Sequence, residues 1–156
     1  TLVKAKIDNY WSSATATFSG KLPLKKDGWK FDWNKLNKEK NSKTYILRLK
    51  DPTKSVEGII HLKIENRMLI MDIIEVAPHN MGSSNKRYDF VAGCLIAFGC
   101  RQSFEMDGIY KGYLTFMSKT NLISWYRDKY GATQALGQRM FIDDINGLKL
   151  IKKYLD

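Results

Sequence analysis

Met68-Leu-Ile-Met-Asp-Ile-Ile-Glu-Val76, followed by Ala77-Pro78, the loop His79-Asn-Met-Gly-Ser-Ser-Asn-Lys-Arg-Tyr88 and then Asp89-Phe-Val-Ala-Gly93, decides how this chain folds. The first nine residues are apolar on both faces apart from Asp72 and Glu75, which is the pattern of a strand at the centre of a sheet covered on both sides. Pro78 closes it. After a loop containing Gly82, Ser83 and Ser84, the periodicity predicts a helix from about Asp89 to Met106, with Val91, Leu95 and Phe98 beside Cys94, Ala97 and Phe104 on its apolar side. Such a strand, loop and helix start presents free backbone N–H groups and the positive end of a helix dipole. That arrangement suits a phosphate or pyrophosphate, to which Lys86 and Arg87 would add side-chain charge.

Working outward, Thr44–Leu49 and Val56–Ile64 read as strands joined through the turn Asp51-Pro52, and Asn66-Arg67 turns the chain into Met68. Three consecutive strands with tight connections form an antiparallel meander. Downstream, Gly112–Met117 reads as a strand, Asn121–Tyr130 as a helix stopped by Gly131, Gln138–Asp143 as a strand and Ile145–Leu155 as a closing helix. Residues 1–43 carry the weakest pattern, with Asp32–Lys40 as a short polar helix. The expected class is mixed α/β, a mostly antiparallel central sheet with helices on both faces.

With 156 residues and 44% hydrophobic content, the chain makes one domain with a conventional core, and a disordered chain is excluded. The weakly polar run Phe90–Cys100 is far shorter than the roughly 20 residues that span a bilayer, so no membrane partner is expected, and no signal-peptide pattern is read. Cys94 and Cys100 fall in one helix, too far apart for a disulfide, which points to reduced thiols and a cytoplasmic setting. Residues 1–55 hold 13 Lys or Arg against 5 Asp or Glu, most of the net +10. That asymmetry suits an anionic partner such as RNA, a phosphate-bearing cofactor or an acidic protein surface, and equally suits a solvated lysine-rich face.

Among side chains able to do chemistry, Asp72 and Glu75 sit on the central strand. A regular strand puts residues three apart on opposite faces, so only one of the two would face a substrate unless a bulge re-aims the other. Tyr126 and Tyr130 lie one turn apart on one helix. His61 and His79 lack companions at metal-ligand spacing, so no metal is expected. Both cysteines read as core residues.

The order of these elements resembles the GCN5-related N-acetyltransferase (GNAT) superfamily. Val76-Ala77-Pro78 matches the family's Val-x-Pro-like end of the fourth strand, whose backbone, here Ile74 to Ala77, pairs with the pantetheine arm of acetyl-CoA. Arg87, Val91 and Ala92 match its pyrophosphate pattern, with Phe90 where the family has its first glycine. The resemblance thus implies a cofactor cradle of Gly82, Ser83, Ser84, Lys86, Arg87, Tyr88, Val91, Ala92 and Gly93. Lys119-Thr-Asn-Leu-Ile-Ser-Trp-Tyr126, before Gly131-Ala132, looks like the family's fourth helix. Asn121 and Ser124 would then contact the cofactor, and Tyr126 would act as general acid.

The implied activity is transfer of an acetyl group from acetyl-CoA to a primary amine by direct attack in a ternary complex. Glu75 ranks ahead of Asp72 as the base. The implied organisation is a substrate-side segment over 1–43, an acetyltransferase core over 44–143 and a C-terminal helix over 144–156. Two other readings share the architecture: a non-catalytic protein that holds RNA or a protein partner on its basic surface, and a toxin that acetylates aminoacyl-tRNA.

Overall fold

The computed structural model describes residues 22–48, 55–81 and 90–155, together with the backbone of 11–13. Seven strands form one sheet in the order β1-β2-β3-β4-β5-β7-β6. They are β1 (Trp11–Ser13), β2 (Ser42–Arg48), β3 (Val56–Glu65), β4 (Met68–Val76), β5 (Leu114–Met117), β6 (Thr133–Gln134) and β7 (Arg139–Ile142). Every neighbouring pair is antiparallel except β4 with β5. The helices are α1 (Trp33–Leu36), α2 (Val91–Ser103), α3 (Ile123–Tyr130) and α4 (Asp144–Tyr154).

The meander forms as its turns dictate. Asn66 and Arg67 both take positive φ, 51° and 64°, the combination that a two-residue hairpin loop needs to match the strands' twist. β4 keeps the bounds its apolar run predicts. Asp32–Lys40 shortens to α1, because beyond it Lys38 and Glu39 bond back only three residues and Asn41 turns left-handed. Asp32 caps α1 by accepting from the Lys35 amide at 3.1 Å. β5 begins two residues later than the predicted Gly112, which itself sits at φ 86° in a turn. Asn121 belongs to a short 3-10 turn, Thr120–Leu122, leading into α3. Gly131 closes α3 at φ 68°, its amide and that of Ala132 returning to Arg127 and Tyr126.

Two apolar layers cover the sheet. On one face α2, α4 and Tyr130 of α3 pack over Leu47, Ile60, Leu62, Leu69, Leu114 and Met140. Burying this layer is the main stabilising term, about 25 cal/mol for each Å² of apolar surface withdrawn from water. On the other face Leu22, Trp29 and the fully buried Trp33 cover Ile46, Ile59 and Ala77. α4 lies antiparallel to α2, with Gly147 against Cys100 and Tyr154 against Gly93. Cys94 and Cys100 are both buried in α2. Among the described residues no helix is long and apolar enough to cross a membrane.

One irregularity positions everything that follows. Along β3 and β4 the pairing passes from His61 with Ile73 directly to Leu62 with Met71, which leaves Asp72 as an extra residue without a partner on β3. This β-bulge inverts the alternation beyond it. Asp72 and Glu75, expected on opposite faces, therefore share the face covered by Trp33.

Candidate active site

β4 and β5 pair over only two positions, Leu69 with Leu114 and Ile70 with Thr115. β4 nevertheless runs on to Val76. The two strands part where the bulge bends β4 away. Each is held on its outer side: β4 by β3 along its length, and β5 by β7 from Leu114 with Ile142 to Met117 with Arg139. From Met71 to Val76 the β5-facing edge of β4 has no strand partner among the described residues, so its N–H and C=O groups are available to an extended, amide-bearing ligand. Ile74, Val76 and Ala77 lie on or just past this stretch.

A cavity of about 140 Å³ opens at the point of parting, lined by Ile70, Met71 and Asp72 of β4, Thr115, Phe116 and Met117 of β5, and Lys63, Glu65 and Arg139.

The two carboxylates have different surroundings. Asp72 lines the cavity. Its Oδ2 lies 3.0 Å from His61 Nδ1, and its Oδ1 accepts from Lys63 Nζ at 3.2 Å. Burial pulls the Lys63 ammonium downward, but the bonds to Asp72 and Glu65 outweigh it and leave the pKa raised. Glu75 points instead into the junction with the N-terminal segment. One oxygen accepts from the Lys30 amide at 2.6 Å; the other accepts from the Phe31 amide at 3.3 Å and the Trp33 indole N–H at 2.8 Å. Three donors occupy it, and of the two carboxylates it is Asp72 that lines the cavity.

Tyr126 stands beside the cavity wall. Its ring lies 4.8 Å from that of Phe116 and 4.9 Å from that of Trp125. Burial raises its pKa, which keeps the phenol protonated and able to donate. Tyr130 is buried in the core, wedged between Trp125, Tyr126 and Tyr154. Asn121 and Ser124 are exposed near the start of α3, and no side chain caps the turn or the helix there.

At the start of α2, Cys94 is the first residue whose amide closes a helical bond, back to Phe90 at 2.9 Å. Among the described residues the amides of Val91, Ala92 and Gly93 have no intrahelical acceptor, and they stand at the positive end of the dipole. Phe90, where the resemblance places a glycine, adopts φ 63°, a left-handed conformation that glycine takes without cost. Its ring is 42% exposed and leans on Tyr154 at 6.1 Å. Gly93 answers to packing: a Cβ there would stand 2.3 Å from the Tyr154 ring. Gly82, Ser83, Ser84, Lys86, Arg87 and Tyr88 lie outside the described residues.

Sequence reasoning overlooked two side-chain clusters, each built on a fully buried residue of β3. Glu57, fully buried on β3, accepts from Asn80 Nδ2 and pairs with His79 Nε2, pinning the Pro78–Asn80 turn that ends β4. Glu39, His61 and Asp72, far apart in the chain, come together with one ligand-type atom each, all within 4.8 Å. The single usable signal was an isolated polar His61 inside an apolar strand.

No family model matches the sequence, and no curated protein does either. Solved structures do match. A mutant of the toxin AtaT bound to the C-terminus of the antitoxin AtaR superposes with a TM-score of 0.59 at 12% identity, over 90% of this chain and 96% of that one. The KacTA–DNA complex gives 0.56 at 14% identity over 76% and 78%. A chimera of the spermidine N-acetyltransferase SpeG from Vibrio cholerae with hSSAT gives 0.50 at 17% identity over 75% and 78%. With the strand order, the single parallel pair and the parting of β4 from β5 already established, these likenesses give the conclusion that this chain has the fold of the GNAT acetyltransferases.

Proposed function

We propose that this protein is an acetyl-CoA-dependent N-acetyltransferase that passes the acetyl group directly to a primary amine in a ternary complex. The observation that carries the reading is the parted strand pair: a free edge from Met71 to Val76 beside a cavity. The amide groups of a pantetheine arm can complete the ladder that β5 leaves open. The same fold is recorded with acetyl-CoA in a structure of AtaTR, at a TM-score of 0.50.

The chain's own groups supply what the chemistry needs. The amides at the start of α2 suit the pyrophosphate, and we assign Val91 and Ala92 to it together with Gly82–Tyr88. The bulge leaves a backbone amide out of the β3–β4 ladder at the parting point, where it can donate to the thioester carbonyl. Asp72, at the cavity, holds the incoming ammonium by charge. The amine gives its proton to water in the open cleft before attacking the thioester carbon. Tyr126 donates to the departing thiolate, for which a phenol kept neutral by burial is suited.

The test is thiol release from acetyl-CoA in the presence of a panel of primary amines that includes a polyamine, a lysine peptide and aminoacyl-tRNA. Amine-dependent release with one acetyl group gained by the acceptor supports the reading. Acetyl-CoA left intact with every acceptor, and no binding of the cofactor at millimolar concentration, overturns it.

A further inference from the structure

We propose that His61 and Glu39 form a binding site for a divalent cation of the zinc class, with Asp72 behind the histidine. The His61 side chain is fully buried. Asp72, which also accepts from Lys63, takes a hydrogen bond from Nδ1 at 3.0 Å. A carboxylate only accepts, so Nδ1 carries the proton, and in the neutral ring, the form that binds a metal, Nε2 is the lone-pair nitrogen.

Among the described residues Nε2 has no hydrogen-bond partner. It faces Glu39 Oε2 at 4.0 Å. Two acceptors therefore confront each other across a gap too long for a hydrogen bond in any protonation state. Zinc bonds to imidazole nitrogen and carboxylate oxygen are each about 2.0–2.2 Å, which at a tetrahedral angle sets the two donor atoms about 3.4 Å apart, so an ion is held there once the Glu39 carboxylate moves in by about 0.6 Å. Glu39, whose side chain is 46% exposed, is free to close further and leave room for water as the remaining ligands.

The surroundings agree with a cation. Among the described residues, the charged groups at the imidazole are Glu39 from the turn after α1, Asp72 from β4 and, through Asp72, Lys63 with Glu65. β2 contributes the uncharged Thr44 opposite His61. Three carboxylates thus stand against one ammonium in a protein that is strongly basic overall. The carboxylate on Nδ1–H fixes the ring and its tautomer, the role such a partner plays behind metal-bound histidines. A mixed nitrogen and oxygen donor pair favours zinc or a similar transition ion over calcium or magnesium, which take oxygen alone. Bound there, the ion ties the turn after α1 to the sheet.

The experiment is isothermal titration of the untagged protein with Zn²⁺, with ¹⁵N spectra of the histidine rings recorded alongside. The expected result is one saturable site below about 1 mM, with the His61 Nε2 resonance moving and His79 unchanged. Glu39→Gln and His61→Gln should each weaken binding at least tenfold, and Asp72→Asn by about 10- to 100-fold. Glu39 is exposed, so its variant should fold even if a His61 variant does not. No saturable binding at 1 mM, or binding that Glu39→Gln leaves within twofold, overturns the site. None of these readouts uses acetyl-CoA, so failure here is separate from failure of the acetyltransferase reading.

Discussion

Replacing Glu75 by alanine should damage stability far more than catalysis. In the wild type its carboxylate accepts from two backbone amides and from the Trp33 indole. A hydrogen bond to a charged group contributes about 1.5–3 kcal/mol. Lys30 and Phe31 are exposed, so their amides can turn to water once the carboxylate is gone. Trp33 is fully buried, and its N–H would be stranded at a cost of about 1–3 kcal/mol. With one charged bond lost and one donor orphaned, the expected loss is about 3 kcal/mol, or about 6–12 °C in Tm for a chain of this size. Thermal unfolding followed by circular dichroism measures it, and the Trp33 fluorescence should redden as the indole is released. Below the variant's midpoint, turnover with acetyl-CoA should stay within about tenfold of wild type, whereas removing a general base costs about 10²–10⁴. A variant within 1 kcal/mol of wild-type stability whose turnover has collapsed would refute the assignment and return Glu75 to the chemistry.

Tyr126→Phe should lower turnover by about 10²-fold while leaving acetyl-CoA affinity unchanged, as steady-state kinetics and titration together would show. Burial pushes the Cys100 thiol from 9.0 up to about 12, so its stabilising share is complete below pH 9 and is lost between pH 9 and pH 12, as the unfolded chain alone ionises. Urea unfolding across that range should show a slope of about 1.4 kcal/mol per pH unit that Cys100→Ala flattens; an unchanged slope in the variant contradicts it. Tyr154→Phe should leave stability unchanged or raise it by about 1 kcal/mol, since the hydroxyl it removes is buried without a partner among the described residues, and a marked loss in chemical denaturation would show that the hydroxyl is satisfied. Phe90→Gly relieves a left-handed backbone at about 1 kcal/mol and should tighten acetyl-CoA binding; weaker binding would mean that the ring itself contacts the cofactor.

The parts of the fold legible in the chain are those fixed by local chemistry. β4 could be read to the residue because seven of its nine positions are apolar, and the Asn66-Arg67 loop named its own hairpin. Gly131 marked the end of α3 because only glycine takes its φ of 68° freely. The bulge at Asp72 could not be read, since it arises from the fit of β4 to both neighbours and no residue type announces it. It places Asp72 and Glu75 on one face, where regular alternation separates them. The same dependence on distant partners hid the Glu75 anchor, whose donors sit 42 to 45 residues away, and the meeting of Glu39, His61 and Asp72. The Phe90 departure was visible, but its consequence, a glycine-type backbone retained by an aromatic residue, needed coordinates. Among the expected cofactor contacts, Gly93 also meets a helix-packing demand from Tyr154, which spacing alone cannot distinguish from a phosphate cradle.

The proposed use of the parted strands is tested most directly by amide hydrogen exchange, read by mass spectrometry with and without acetyl-CoA. Slowed exchange confined to the β4 edge from Met71 to Ala77 and the first turn of α2, with β2 and β3 unchanged, is the predicted outcome. Saturating cofactor that leaves the Met71–Ala77 amides exchanging as fast as before would contradict it.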